Sequence, residues 1–387
     1  MKTQQALNLN YTSNQKILYM AMELSNSTWK LAFCNGEKIR KIAVVARDLM
    51  GLKKAIDQAK EKFKLPKSAN VISCYEAGRD GFWIHRFLIA QGIDNHVVDS
   101  SSIETNRRSK KVKTDRIDAE KLVVMLMRYI VNGEKRLWRI VHVPSVEQED
   151  IRRLHREFDR LKKEKGQHSN RIQSLLILHG IRLETLSVTD WSQQVHKFTQ
   201  WDGQPLPPFV QEELIREGKR LALVREQMRQ IQAKQIELIK SSDEPMVQKV
   251  ADLLMLGSIG LKSAWLFVME FYGWRDFKNG RQIGSLAGLT GTPYNSGDSE
   301  KDQGISKAGN RRIRAMIIEI SWMWLRRQPN SHLTQWYNKR FAHGSKRMRR
   351  IGIVALARRL LIELWRYLET GAIPPGATLK AANARIR

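Results

Sequence analysis

At 387 residues the chain exceeds what one hydrophobic core usually organises, so two or three domains are expected. Its 67 Lys and Arg against 39 Asp and Glu leave a formal charge of +28, spread along the chain rather than held in one tail. That excess points to a polyanionic partner, most often nucleic acid. With no run near the ~18 uninterrupted apolar residues of a membrane span and no signal peptide at its start, the chain reads as cytoplasmic and without a membrane partner.

After a polar start (residues 1–15), KILYMAME (16–23), WKLAFCNG and KIRKIAVVA read as consecutive strands, with a turn at Asn35-Gly36. Residues 48–63 have a helical period, with Leu49, Leu52, Ile56 and Ala59 on one face. NVISCYE (70–76) reads as a buried strand, GFWIHRFLIAQG (81–92) as a helix ending at Gly92, and IDNHVVDS (93–100) as another strand. The basic stretch RSKKVK, with Lys110, Lys111 and Lys113, then leads into a helix that Thr114 can cap. This alternation predicts an α/β layer domain over residues 1–140. Cys34 and Cys74 lie in apolar segments with no neighbour at metal-ligand spacing and read as buried thiols.

From Val146 to Gly180, and again from about Pro208 to Lys240, apolar residues recur at three and four among dense charge. The stretches flank a polar connector with Pro205, Pro207 and Pro208, which predicts an antiparallel coiled-coil arm over 141–245 and an oligomerisation device. A helical hairpin packed on its own domain is the alternative. Residues 246–387 read as a third, helical domain. VADLLMLGSIGLKSAWLFVMEF resembles a helix-hairpin-helix, with Ser258 where that pattern has a glycine, and an αα-hairpin reads equally well. Near the end, a basic cluster from Lys339 to Arg350, with Lys346, Arg347, Arg349 and Arg350, is suited to phosphate contacts and is followed by an amphipathic helix.

Two groups of residues carry chemistry. Glu23 and Glu76 end two strands, and strands that are neighbours in a sheet present their ends at one rim. Asp115 and Asp118, at i and i+3, share a helix face. Four carboxylates so placed suit Mg²⁺, which prefers hard oxygen ligands and can stabilise attacking and leaving oxygens in phosphoryl transfer. Taken singly each has a simpler role: Asp115 can complement the helix dipole, and Glu76 can hold Arg79. His85 and His142 are read as structural. Within 290–314 a polar loop is expected, its Pro293, Asn295, Gly297 and Gly309 serving turns. Turn chemistry leaves Ser296 unexplained, as it does Lys307, Arg311, Arg312 and Arg314 close behind it.

KTDRIDAEKL, SCYEAGRDGFW and MELSNSTWKLAF resemble the RuvC-like domain of the DEDD transposases of bacterial insertion sequences, the "IS one-ten" family. SLAGLTGTPYNSG with DQGISKAGNRRIR resembles the same family's second domain, and the likeness runs from about residue 16 to 375. It implies a RuvC/RNase H-like N-terminal domain, a coiled-coil arm and a helical C-terminal transposase domain. It further implies an RNA-guided DNA recombinase in which a structured noncoding "bridge" RNA pairs with donor and target DNA. On that resemblance Ser296 is the nucleophile, held after attack as a phosphoserine. Glu23, Glu76, Asp115 and Asp118 ligate Mg²⁺, and Lys307 and the arginines after it hold phosphate. Glu23 departs from the aspartate that most of the family carries, and reaches one methylene further. Dimers and tetramers are implied, with carboxylates and serine, more than 170 residues apart, drawn from different protomers. Two other classes stay open: a structure-selective nuclease (a junction resolvase) that uses water attack, and a nucleic-acid-binding protein without catalysis.

Overall fold

The computed structural model describes residues 16–103, 119–273, 275–296 and 299–380, with the backbone alone for 293–296 and 299–303. It divides between Val143 and Pro144 into two compact units.

In the first unit, β1 (Ile17–Glu23), β2 (Thr28–Cys34) and β3 (Ile39–Val45) form an antiparallel meander, and β4 (Asn70–Glu76) and β5 (Asp94–Val98) extend it in parallel. The strand order is β3-β2-β1-β4-β5. β1 is therefore central, covered on both faces. Leu18, Met20 and Met22 enter one core with α1 (Leu49–Lys62) and α2 (Trp83–Ala90), while Tyr19 and Ala21 enter the other beneath α3 (Ala119–Val131). This is why the strand lacks clean polar–apolar alternation. The outer strand β3 instead presents Arg40 and Lys41 to solvent, which discourages further pairing. Asn35 Oδ1 accepts from the amides of Glu37 and Lys38, and Gly36 has φ 103°, closing the expected β2–β3 turn. Asp48 caps α1 by accepting from the Gly51 amide. Cys34 and Cys74 are free and buried, and burial pushes both thiols up.

In the second unit, α4 (Val146–Ile177) and α6 (Pro208–Ser241) run antiparallel: Gln148 meets Glu244, His168 meets Glu217 and Arg171 meets Glu213. Phe158, Leu161, Val224 and Ile231 close the middle of the pair. The connector is not wholly irregular. It holds α5 (Trp191–Lys197), whose Trp191 packs on Gly218 and donates from Nε1 to the Leu214 carbonyl at 2.7 Å. Beyond the pair lie α7 (Pro245–Leu254), α8 (Leu261–Phe267) continued by a π turn over Val268–Tyr272, and α9 (Gly280–Leu286). After α10 (Arg311–Arg327) and α11 (His332–Tyr337), the chain ends in α12 (Lys346–Thr370). α12 crosses the core of this region, burying Ile353, Leu356, Leu360, Leu361 and Leu364 against Trp265, Phe271 and Trp324.

Residues 290–314 differ from the expected loop. β6 (Gly291–Ser296) and β7 (Ser299–Ile305) form an antiparallel hairpin, irregular between Gly291 and Pro293. Proline lacks an amide donor and fits a strand at such an irregularity. Only backbone pairing and the partner strand make these polar residues a hairpin, and no apolar alternation signals it.

Candidate functional site

β1 and β4 are parallel neighbours with Met22 opposite Tyr75, so the next residues, Glu23 and Glu76, end adjacent strands at one rim. That rim opens into a cleft of about 620 Å³ lined by Glu23, Ser25, Asn26, Glu76, Arg79 and Asp80, among others. Glu23 is 18% exposed and accepts from Lys30 Nζ at 3.3 Å, its cross-strand partner in the β1–β2 register. Asp80, with Arg79 3.8 Å away, is an acid that motif reading passed over. The Glu23–Lys30 pair was legible in principle, since a short β1–β2 turn sets which residues face each other. Tyr75 Oη donates to the Gly81 carbonyl at 3.0 Å and holds the loop that carries Arg79 and Asp80.

α3 starts one residue after Asp118, and its Leu122 lines the same cleft. Asp115 and Asp118 lie outside the described residues, as do Thr114, Lys110, Lys111, Lys113 and Gly297. Among the described residues no cluster of three His, Cys, Asp or Glu could hold a metal. Glu23 and Glu76 nevertheless fit a hard cation by donor chemistry, as carboxylates from adjacent strand ends on an open cleft. His85 is structural, its Nδ1 2.9 Å from Asn95 Nδ2, with burial first among the causes that lower its pKa.

In the second unit, Ser296 ends β6 opposite Ser299, at the tip of the hairpin. After β7 the chain folds back on the α9 end: the Lys307 amide reaches Gly288 O and the Asn310 amide reaches Leu286 O. Gly309 makes this possible, because its φ is 140° and any Cβ would strike the Leu286 carbonyl. Asn310 then caps α10, accepting from the amides of Arg312 and Ile313. The four cations divide. Arg314 donates to Ala287 O at 3.0 Å, and Arg312 lies 3.6 Å from Asp159 of α4. Lys307 and Arg311 are exposed with no carboxylate partner among the described residues.

Arg312 borders a buried ionic group. Glu270 accepts from Arg152 at 2.6 Å and Arg156 at 2.9 Å. Burial raises its pKa, but those hydrogen bonds and the two charges lower it by more, to about 2. Buried His155 sits 3.7 Å from Asp159, and burial pushes its pKa down although Asp159 and Glu270 pull it up.

The helix-hairpin-helix segment is α7, a turn and α8. Its turn is met from within the chain, where Lys380 Nζ donates to Leu254 O and Ile259 O, each at 2.8 Å. Lys346, Arg347 and Arg350 line a groove of about 1,090 Å³ beside the base of the hairpin; Arg349 is exposed nearby. Arg340, within the basic cluster read between Lys339 and Arg350, lines it too; Arg358 and Arg359 also line it and were missed from sequence. The signal that could have found Arg358 is the row Arg347, Ile351, Val354, Arg358, Ile362, spaced by three and four along one face of α12.

Comparison with known proteins finds a matching family and several relatives. Residues 251–336 match the transposase IS116/IS110/IS902 family. The chain is 37% identical over 379 residues to "Putative transposase y4rJ" of Sinorhizobium fredii, covering 94% of each chain. It is 22% identical over 317 residues to the transposase for insertion sequence element IS1533 of Leptospira borgpetersenii, covering 79% of this chain and 84% of that one. A third relative, the transposase for insertion sequence element IS1328 of Yersinia enterocolitica, is 23% identical over 232 residues, which is 59% of this chain and 64% of its own. With nearly its whole length aligned to the first of these, the chain belongs to the IS116/IS110/IS902 family of transposases.

Proposed function

We propose that this transposase cuts and rejoins DNA through a phosphoserine at Ser296, with Mg²⁺ held by Glu23, Glu76, Asp115 and Asp118. A structured noncoding RNA selects donor and target DNA by base pairing, and the protein works as a dimer or tetramer on DNA. The supporting observation is that Glu23 and Glu76 end adjacent parallel strands on one cleft, in a mixed sheet suited to a RuvC-like domain. α3, which begins just after Asp118, supplies Leu122 to that cleft. The backbone position of Ser296, ending β6 at a hairpin tip opposite Ser299, supports its role in turn.

In the proposed reaction, Ser296 Oγ bonds to a backbone phosphorus while one bond from that phosphorus to a deoxyribose oxygen breaks. The seryl proton passes to a base and the departing sugar oxygen takes one up. Rejoining reverses this: a sugar hydroxyl of the other strand attacks, and serine is released. Each step exchanges one phosphate ester for another, so no energy-rich nucleotide is consumed. Mg²⁺, when bound, offsets the charge that builds on phosphate oxygens. Lys307 and Arg311 take the role of meeting those oxygens as the bonds change, which their exposure beside the hairpin supports.

The test is a covalent protein–DNA adduct. The wild type should form one on a nicked or suicide DNA substrate carrying the element's junction, supplied with RNA transcribed from the element's flank. Ser296→Ala should form none. Cleavage that persists in Ser296→Ala with no adduct in either protein would mean water attack, and a nuclease.

A further inference from the structure

The groove at the base of the Ser296 hairpin combines two chemistries. Arg340, Lys346, Arg347, Arg350, Arg358 and Arg359 line it, and among the described residues no acidic one does. None of the six meets a carboxylate among the described residues. So many like charges repel one another unless an anion joins them, so the rim is complementary to a polyanion.

The remaining lining is largely apolar, including Leu289, Ile305, Phe341, Ile351, Val354 and Ile362. Ile351 is half exposed, and with the neighbouring apolar lining it forms a patch rather than a lone exposed side chain. Trp336 also lines the groove, with the Arg359 guanidinium 4.1 Å from its ring centroid and Phe341 packed against it at 5.4 Å. At about 1,090 Å³ the groove exceeds the roughly 300–1,000 Å³ of sites for single small ligands.

Duplex DNA satisfies only the rim. Its base faces are stacked on one another, only phosphates and groove edges point outward, and the apolar floor would stay wet. Unpaired nucleotides satisfy both parts, phosphates on the cations and base faces on apolar and aromatic side chains.

We propose that this groove holds an unpaired stretch of nucleic acid, phosphates along the arginine rim and bases on the Phe341–Ile351–Val354 floor. It deepens the functional reading above, and rests on it for the presence of DNA and RNA together. Gly291 and Gly304 place the hairpin's base at the groove, while Ser296 ends β6 five residues further on, about 17 Å at the usual strand rise. A strand seated in the groove is thereby delivered to the root of the element that carries the serine. The strand is either DNA opened near the cut or a single-stranded part of the guide RNA.

The full-length protein tests this by fluorescence anisotropy with a labelled 12-mer of thymidylate, a 12-mer of uridylate, a 12-mer of abasic deoxyribose phosphates and a duplex. Both base-bearing strands carry the abasic strand's charge, so tighter binding measures the floor. We expect the better of them to bind at least tenfold tighter than the abasic strand, and which of the two is better identifies the source. Ile351→Glu, a change at an exposed position, should erase that preference while leaving duplex affinity within twofold. Val354→Asp should act in the same way and guards against a local effect of Ile351.

Equal binding of abasic and base-bearing strands overturns the proposal, leaving a phosphate track alone. So does an Ile351→Glu protein that keeps the preference. A change of oligomeric state in Ile351→Glu, with single-strand binding intact, would assign the floor to a second copy of the chain instead. Binding requires no chemistry, so a base preference that persists in Ser296→Ala, with no adduct from the wild type, would refute the phosphoserine and leave the groove standing.

Discussion

Glu270 shows how much one buried charge depends on its partners. Its side chain is 9% exposed, and Arg152, on α4, is 12% exposed. Removing Glu270 from this group leaves the largely buried Arg152 without that counter-charge, which is costlier than never having built the pair. Glu270→Gln keeps the shape and removes the charge, and should cost about 3 kcal/mol in urea unfolding. The pH dependence follows from the carboxyl being held at about 2 rather than 4.5. Its contribution is fully present above 4.5 and is lost as pH falls from there towards 2. The unfolding midpoint should therefore fall over that window, and fall less steeply in Glu270→Gln; identical slopes would show that the ion pair does not form in solution. Neutral His155 adds a second loss below the ordinary 6.5, since its pKa is lowered and acid must force a proton onto a buried ring. None of this was legible in sequence. Arg152 and Arg156 lie more than a hundred residues from Glu270, and no motif links them to it.

At the scale of elements, glycine in the middle of α6 is informative. Gly218 costs the helix roughly 1 kcal/mol relative to alanine by intrinsic propensity. The structure supplies the compensation, since a Cβ there would enter the Trp191 ring. Displacing a buried tryptophan costs about 3–5 kcal/mol when the site cannot relax, so packing outweighs propensity. Gly218→Ala should accordingly lower stability by about 2 kcal/mol despite its better helix former. A raised thermal midpoint would show that α5 does not dock on α6. The two long helices themselves were legible, because Phe158, Leu161, Leu214 and Leu221 repeat with helical spacing. The hairpin of Gly291–Ser296 and Ser299–Ile305 was not. Its residues are those of turns, and strand identity there comes from pairing alone.

For the whole molecule, +28 is the dominant quantity. Each phosphate neutralised on duplex DNA contributes about −0.9 to the slope of log affinity against log salt. If Lys346 and Arg347 both contact phosphate, Lys346→Gln combined with Arg347→Gln should make that slope shallower by about 2. A slope unchanged in the double variant would assign both to solvated surface charge. Charge alone identified the partner class but not which cations serve it. Arg312 and Arg314 sit in the same motif as Lys307 and Arg311, yet the first meets Asp159 and the second a backbone carbonyl.

By itself the sequence determined what local spacing can carry: the order of strands and helices, the amphipathic faces, the carboxylates at strand ends and the polyanion-facing charge. These depend on residues a few positions apart, where helix and strand periods act directly. The tertiary structure decided which distant segments meet. It made β1 and β4 parallel neighbours, so that Glu23 and Glu76 share a rim, and it turned a polar stretch into a hairpin ending at Ser296. It also gathered cations from the α11–α12 turn and α12 around an apolar floor. Those outcomes follow from burial of apolar surface and pairing of backbone groups over long separations, which no local pattern records.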